Sequence, residues 1–174
     1  ATLEVDTTPK WGEDAKVGSG AYEFDGSTSY IQASHDDNLN NSVISISAWV
    51  NPNELSSATH QRLIAKNSTG GYILNLYGPK IEAYVGGQQI NGPNINVEVW
   101  VHVVVTIDNG SLKFYLNGEL YNNEVYTGDI NGSTAPLTIG KSGSSYFNGS
   151  IDDVRIYNRA LSEAEVQQLY NMTK

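Results

Sequence analysis

The chain contains no cysteine and a single methionine among its 174 residues. It therefore has no disulfide framework, and it neither needs an oxidising compartment nor is harmed by one. Basic residues are also scarce: 10 Lys and Arg stand against 19 Asp and Glu, for a formal net charge of -9, and they form no cluster. That shortage argues against nucleic acid or an anionic membrane as a partner, since both require a basic face. It is compatible with a divalent cation. No apolar run approaches the ~20 residues of a membrane helix, so membrane insertion is not expected. Charged residues of both signs make up only 17% of the chain. No linker, charge block or internal repeat interrupts it, and its length suits one domain spanning residues 1–174.

Catalytic signatures are missing too. There is no Gly-x-Ser-x-Gly elbow, zinc motif or phosphate loop. The three histidines, His35, His60 and His102, are far apart and lack ligand spacing. Glu23 and Asp25 have the i, i+2 spacing of acids on one strand face, but no third acid follows them. "DDNLNNS" from Asp36 starts like a calcium loop, yet Asn41 stands where such a loop needs glycine. These absences point away from an enzyme.

What is abundant is the material of short strands and tight turns: 17 Gly and 11 Tyr, with many Asn, Ser and Thr. About ten runs alternate with period two between Gly/Asn punctuation, from "GAYEFDG" to "GSIDDVRIYN". "TIDNGSLKFYLNGELY" carries Asn109-Gly110 and Asn117-Gly118, which predicts a three-stranded antiparallel meander. One helix is expected near the C-terminus: Ser162 and Glu165 form a capping box, and Val166, Leu169 and Tyr170 give an apolar stripe. The pattern predicts an all-β antiparallel sandwich with one short C-terminal helix closing one edge.

Four stretches in order, "YEFDGSTSYIQ", "SISAWVNP", "WVHVVVTIDNGSLKFYLNGEL" and "LTIGKSGSSYFNGSIDDVRIYNRALSEAEVQQLY", resemble the landmarks of laminin-G-like jelly rolls in the concanavalin A-like lectin/glucanase superfamily. The resemblance covers roughly residues 17 to 170; the first sixteen, including Trp11, match less well. It implies two face-to-face sheets with the first and last strands as neighbours, and a structural calcium ion at that junction. Asp152 matches the carboxylate position of that ion, with Asp25 and the loop carbonyls near Gly26 as further oxygen ligands. Asp153 would face the other way and pair with Arg155 or Arg159. The alternative is that both acids accept hydrogen bonds from backbone amides of an adjacent turn, with no metal.

The resemblance also makes a glycan the expected partner. Sugar binding uses flat rings flanked by amides and charged groups. Trp49 and Trp100 lie in apolar stretches and read as core. Tyr72, Tyr77 and Tyr84 lie on the adjoining runs "GYILNLYG" and "KIEAYVGG", followed by Gln88, Gln89 and Asn91, the richest blend of rings and amides in the chain. Tyr146, in the Gly/Ser loop before the last strand, is a further candidate. The function expected is a non-catalytic, calcium-stabilised carbohydrate-binding module, monomeric within a larger secreted or cell-surface protein. The alternative is a protein-interaction or spacer domain without a sugar site. A glycan hydrolase or lyase lacks its acid pair.

Overall fold

The computed structural model describes residues 3–6, 10–12, 14–66, 70–108, 110–130 and 133–174. The strands in the first half are β1 (Leu3–Asp6), β2 (Lys10–Gly12), β3 (Ala21–Asp25), β4 (Tyr30–Ala33), β5 (Ile44–Pro52), β6 (Gln61–Lys66), β7 (Tyr72–Tyr77) and β8 (Lys80–Val85). Those in the second half are β9 (Gln88–Asn94), β10 (Val101–Asp108), β11 (Ser111–Leu116), β12 (Glu119–Val125), β13 (Leu137–Ile139), β14 (Lys141–Ser142), β15 (Ser145–Tyr146) and β16 (Asn148–Tyr157). The helix α1 spans Glu163–Thr173.

Two seven-stranded antiparallel sheets carry the fold, ordered β1-β4-β13-β6-β7-β8-β9 and β12-β11-β10-β5-β16-β3-β2. This is the expected jelly-roll sandwich, with the hairpin β14-β15 as a small addition. Alternate residues of each sheet point inward and meet in one apolar core that includes Phe24, Ile46, Leu74, Ile81, Val105 and Phe114. The meander β10-β11-β12 forms as expected. Asn117 and Gly118 supply consecutive positive φ angles of 51° and 83°, as a tight hairpin turn requires. Asn109, in the other expected turn, lies outside the described residues.

The helix does not close an edge. It lies over the outer face of the second sheet, where Val166 and Leu169 pack with Val104, Tyr115 and Leu161. Trp49 is sealed beneath it, its indole N–H donating to Thr173 Oγ1 at 3.0 Å and its ring 5.6 Å from that of Tyr170. With the first sheet on one side and the helix on the other, β5 is buried from Ile44 through Val50, which explains why it reads as a nearly continuous apolar run. The capping box forms as expected: Ser162 Oγ accepts from the Glu165 amide, and Glu165 Oε2 accepts from the Ser162 amide.

Residues 88–94, which follow the run "KIEAYVGG", form the edge strand β9 beside β8. Pro93 is tolerated there because an edge strand leaves one row of amides unpaired. Among the described residues no helix is long and apolar enough to cross a membrane.

Candidate functional site

Among the described residues, no helix lies over the outer face of the first sheet. Because Leu74, Leu76, Ile81 and Ala83 point into the core, the residues between them point out. Register then aligns them in rows: Arg62 opposite Asn75, Asn75 opposite Glu82, and Glu82 opposite Asn91. In the next row Ile73 faces Tyr84, and Tyr84 faces Gln89. At the end of β7, Tyr77 is 45% exposed and stacks on the His60 imidazole with ring centroids 4.7 Å apart.

Glu82 is the hub of this face, only 3% exposed. One carboxylate oxygen accepts from Asn75 Nδ2 at 2.8 Å and lies 3.3 Å from His60 Nε2. The other accepts from Gln89 Nε2 at 2.7 Å. Burial first, then the Glu82 charge and a hydrogen bond to it, push the Tyr84 phenol above its ordinary pKa, with Arg62 opposing. Arg62 Nη1 donates to Asn75 Oδ1 at 3.1 Å, while Arg62 Nε is buried with no hydrogen-bond partner. The arrangement sets the Asn75–Glu82 row, with its fixed carboxylate and amides, between Tyr84 on one side and Tyr77 on the other, the two rings lying four residues apart along the sheet (73 to 77). It has one carboxylate in its rows, not the two that glycoside hydrolysis uses.

The structure brings together Tyr77, Tyr84, Gln89 and Asn91 of the expected sugar contacts and separates the others. Tyr72 is a correction: it is 1% exposed and faces the core, and burial pushes its phenol pKa up. Five positions separate it from Tyr77, an odd number, so the two rings face opposite sides of the strand. Gln88 is a tie between the sheets rather than a free amide. Its Nε2 donates to the Val125 carbonyl at 2.8 Å, and its Oε1 accepts from the Thr127 amide at 3.0 Å. Tyr146 sits on the separate hairpin β14-β15, where Lys141 Nζ lies 5.3 Å from its ring and 4.0 Å from that of Tyr30. His60, Arg62, Asn75 and Glu82 were not singled out from sequence. The alternation that placed Tyr77 and Tyr84 would have found Asn75 and Glu82, which sit two residues from them.

The expected cation clasp also needs correction. The first and last core strands are neighbours, but their register pairs Asp25 with Asn148. Asp152 lies four residues farther along β16 (148 to 152), roughly 13 Å at ~3.3 Å per residue. Each acid serves its own turn. Asp25 Oδ1 accepts from the amides of Ser27, Thr28 and Ser29, and Oδ2 from the Thr28 hydroxyl at 2.6 Å. These donors, Ser29 foremost, hold its carboxyl well below the ordinary range. Gly26, at φ 73°, closes the turn by donating its N–H to the Phe147 carbonyl at 2.9 Å. Asp152 Oδ2 accepts from the amides of Lys16 and Val17 at 3.0 and 2.7 Å, and Oδ1 from the Asp153 amide at 2.7 Å. Carboxylates ringed by N–H and O–H donors do not fit a calcium site that the two share, since the ion requires oxygen lone pairs around it. Nor do the described residues contain a group of three or more His, Asp or Glu side chains placed to hold a metal. Asp153 pairs with Arg155, as expected, at 2.9 Å.

Comparison with known proteins agrees with this architecture. A sequence profile described as the concanavalin A-like lectin/glucanases superfamily matches residues 25–167. Among solved structures, domain 4 of AbnA, a GH43 extracellular arabinanase from Geobacillus stearothermophilus in complex with arabinotriose, is similar with a TM-score of 0.76 and 24% identity, over 97% of this chain and 87% of that one. A chain of botulinum neurotoxin type C, whose cell entry depends on interaction with two ganglioside molecules, is similar with a TM-score of 0.79 and 18% identity, over 99% of this chain and 46% of that one. Adhesion G-protein coupled receptor V1 of Danio rerio is 31% identical over 80 residues, 42% of this chain and 1% of the receptor. The chain thus spans a small part of the curated relative and under half of the toxin chain.

Proposed function

This chain belongs to the concanavalin A-like lectin/glucanases superfamily, and from that premise we propose that it is a non-catalytic carbohydrate-binding module of a larger secreted or cell-surface protein. The glycan lies across the outer face of the first sheet. The observation that carries this reading is the exposed ring of Tyr77 and the half-buried ring of Tyr84, which flank the Arg62–Asn75–Glu82–Gln89 network on either side. Aromatic faces pack against the apolar face of a pyranose or furanose, while fixed polar groups read its hydroxyls. Two similar folds support the ligand class: a domain of an extracellular arabinanase in complex with arabinotriose, and a toxin dependent on gangliosides. The single carboxylate in the rows that hold Asn75 and Tyr84 supports binding without hydrolysis. In this reading Asp25 and Asp152 are turn-binding acids, and calcium has no part in the sugar site.

A glycan array, followed by gel retardation against the polysaccharides it selects, tests the proposal. Wild-type protein binds at least one glycan, and Tyr84→Ala loses about tenfold or more in affinity while keeping its melting temperature within a few degrees. Retention of full affinity in Tyr84→Ala would move the site off this sheet. No binding to any glycan would leave a spacer or protein-contact domain.

A further inference from the structure

Trp11 and the strained second acid of the Asp152-Asp153 pair play no part in the sugar face, and they meet elsewhere. A cavity of about 210 Å³ opens between the two sheets on the β2 side. Trp11 and Tyr22 of the second sheet form one wall, Ile31 and Ile139 of the first sheet another, and Asp153 lines it from β16. Trp11 is 55% exposed, and its ring meets that of Tyr22 edge-on at 5.0 Å. The indole lies directly on Gly20, where a Cβ would fall 2.1 Å from its Cε2 atom. Only glycine permits that placement.

Asp153 is the polar element in this mostly apolar space that lacks a full set of partners. The ladder between β16 and β5 slips between Asp152 and Arg155, so this acid sits in a bulge. Its backbone is in the left-handed region at φ 47°. Bulges and such conformations recur where a side chain has been re-aimed for binding. Oδ1 accepts from Arg155 Nε, and the side chain is 15% exposed. Oδ2 is buried with no hydrogen-bond partner. A buried carboxylate oxygen without a donor is costly unless something supplies one. Asp152 also borders the cavity, so two carboxylates stand there against the one guanidinium of Arg155.

We propose that this cavity is a second binding site, distinct from the sugar face, for a small ammonium ion with a compact apolar body. The ammonium pairs with the Asp153 carboxylate at the cavity wall, and its charge is drawn to the π systems of Trp11 and Tyr22. The apolar body fills the space against Ile31 and Ile139. The volume limits the ligand to a single ring or a short branched chain. An anion finds the carboxylates opposed to it. A sugar, with hydroxyls on every side, finds mostly hydrocarbon walls.

The test titrates full-length protein with 2-phenylethylammonium, 2-phenylethanol and phenylacetate, three probes of similar shape and different charge. Backbone amide shifts of residues lining the cavity give the affinity. The amine binds about tenfold tighter than the alcohol, from one charge-assisted hydrogen bond, and the acid does not bind. Asp153→Asn, which suits a left-handed backbone, erases the difference between amine and alcohol. Gly20→Ala, which displaces the Trp11 ring and leaves the carboxylate in place, weakens amine and alcohol together. Equal affinity for all three probes, no shift with the amine at millimolar concentration, or an amine preference that survives Asp153→Asn would each overturn the proposal.

Discussion

The two sheets have outer faces built from the same ingredients and put to opposite uses. On the second sheet, Trp49, His102 and Tyr115 alternate with core residues, and α1 buries them all. On the first sheet, Arg62, Tyr77 and Tyr84 occupy equivalent alternating positions, and no helix among the described residues covers them. The covered face became a second apolar layer, with Trp49 bonded to Thr173 and Ser47 to His102 beneath the helix. The open face keeps a polar network around Glu82, with Tyr77 and Tyr84 on its flanks. Rings and histidines alone therefore do not mark a binding site; what lies over them decides whether they stabilise the fold or meet a ligand.

The contrast can be broken most forcefully at Trp49. Trp49→Ala removes the surface on which α1 rests and is expected to cost about 3–5 kcal/mol in urea unfolding, whereas a loss below 1 kcal/mol would mean that the helix is not held there. A second large effect follows from His102, whose burial first, and Arg155 second, lower its pKa from 6.5 to about 4. Its unfolded form takes up a proton near pH 6.5 and its folded form only near pH 4, so stability falls as pH drops through that window. The expected loss is about 3 kcal/mol, and urea unfolding at pH 7, 5.5 and 4 measures it. His102→Gln should flatten that slope. Further loss below pH 4 comes from carboxyls that the fold holds below their ordinary range, Asp25 and Glu165 among them, because the unfolded chain takes up those protons first. On the open face the corresponding change is small: Tyr84→Ala should alter stability by less than about 1 kcal/mol and act on glycan binding instead. Smallest of all, melting curves with chelator and with added calcium should coincide, because Asp25 and Asp152 answer to amides. A chelator-induced drop of several degrees would restore a cation to one of those turns.

Much of this was legible in the residues. Period-two alternation, the Asn117-Gly118 turn and the Ser162/Glu165 capping box are local signals, and each element formed where its signal lay. The family resemblance placed β3 beside β16 correctly. The same alternation, counted through, would have excluded Tyr72 and admitted Asn75 and Glu82.

By itself, the order of residues determined which segments become strands, where they turn, where the helix begins and which side of β7 and β8 carries the rings, because these depend on neighbours within a few positions. Only tertiary structure decided the register of β16 on β3, and with it the separation of Asp25 from Asp152. It also brought His60 and Arg62 beside Glu82, Trp11 toward Asp153, and α1 onto one sheet rather than the other. Those meetings join residues tens of positions apart or more, and their geometry is set by packing two sheets face to face, which no local run of sequence contains.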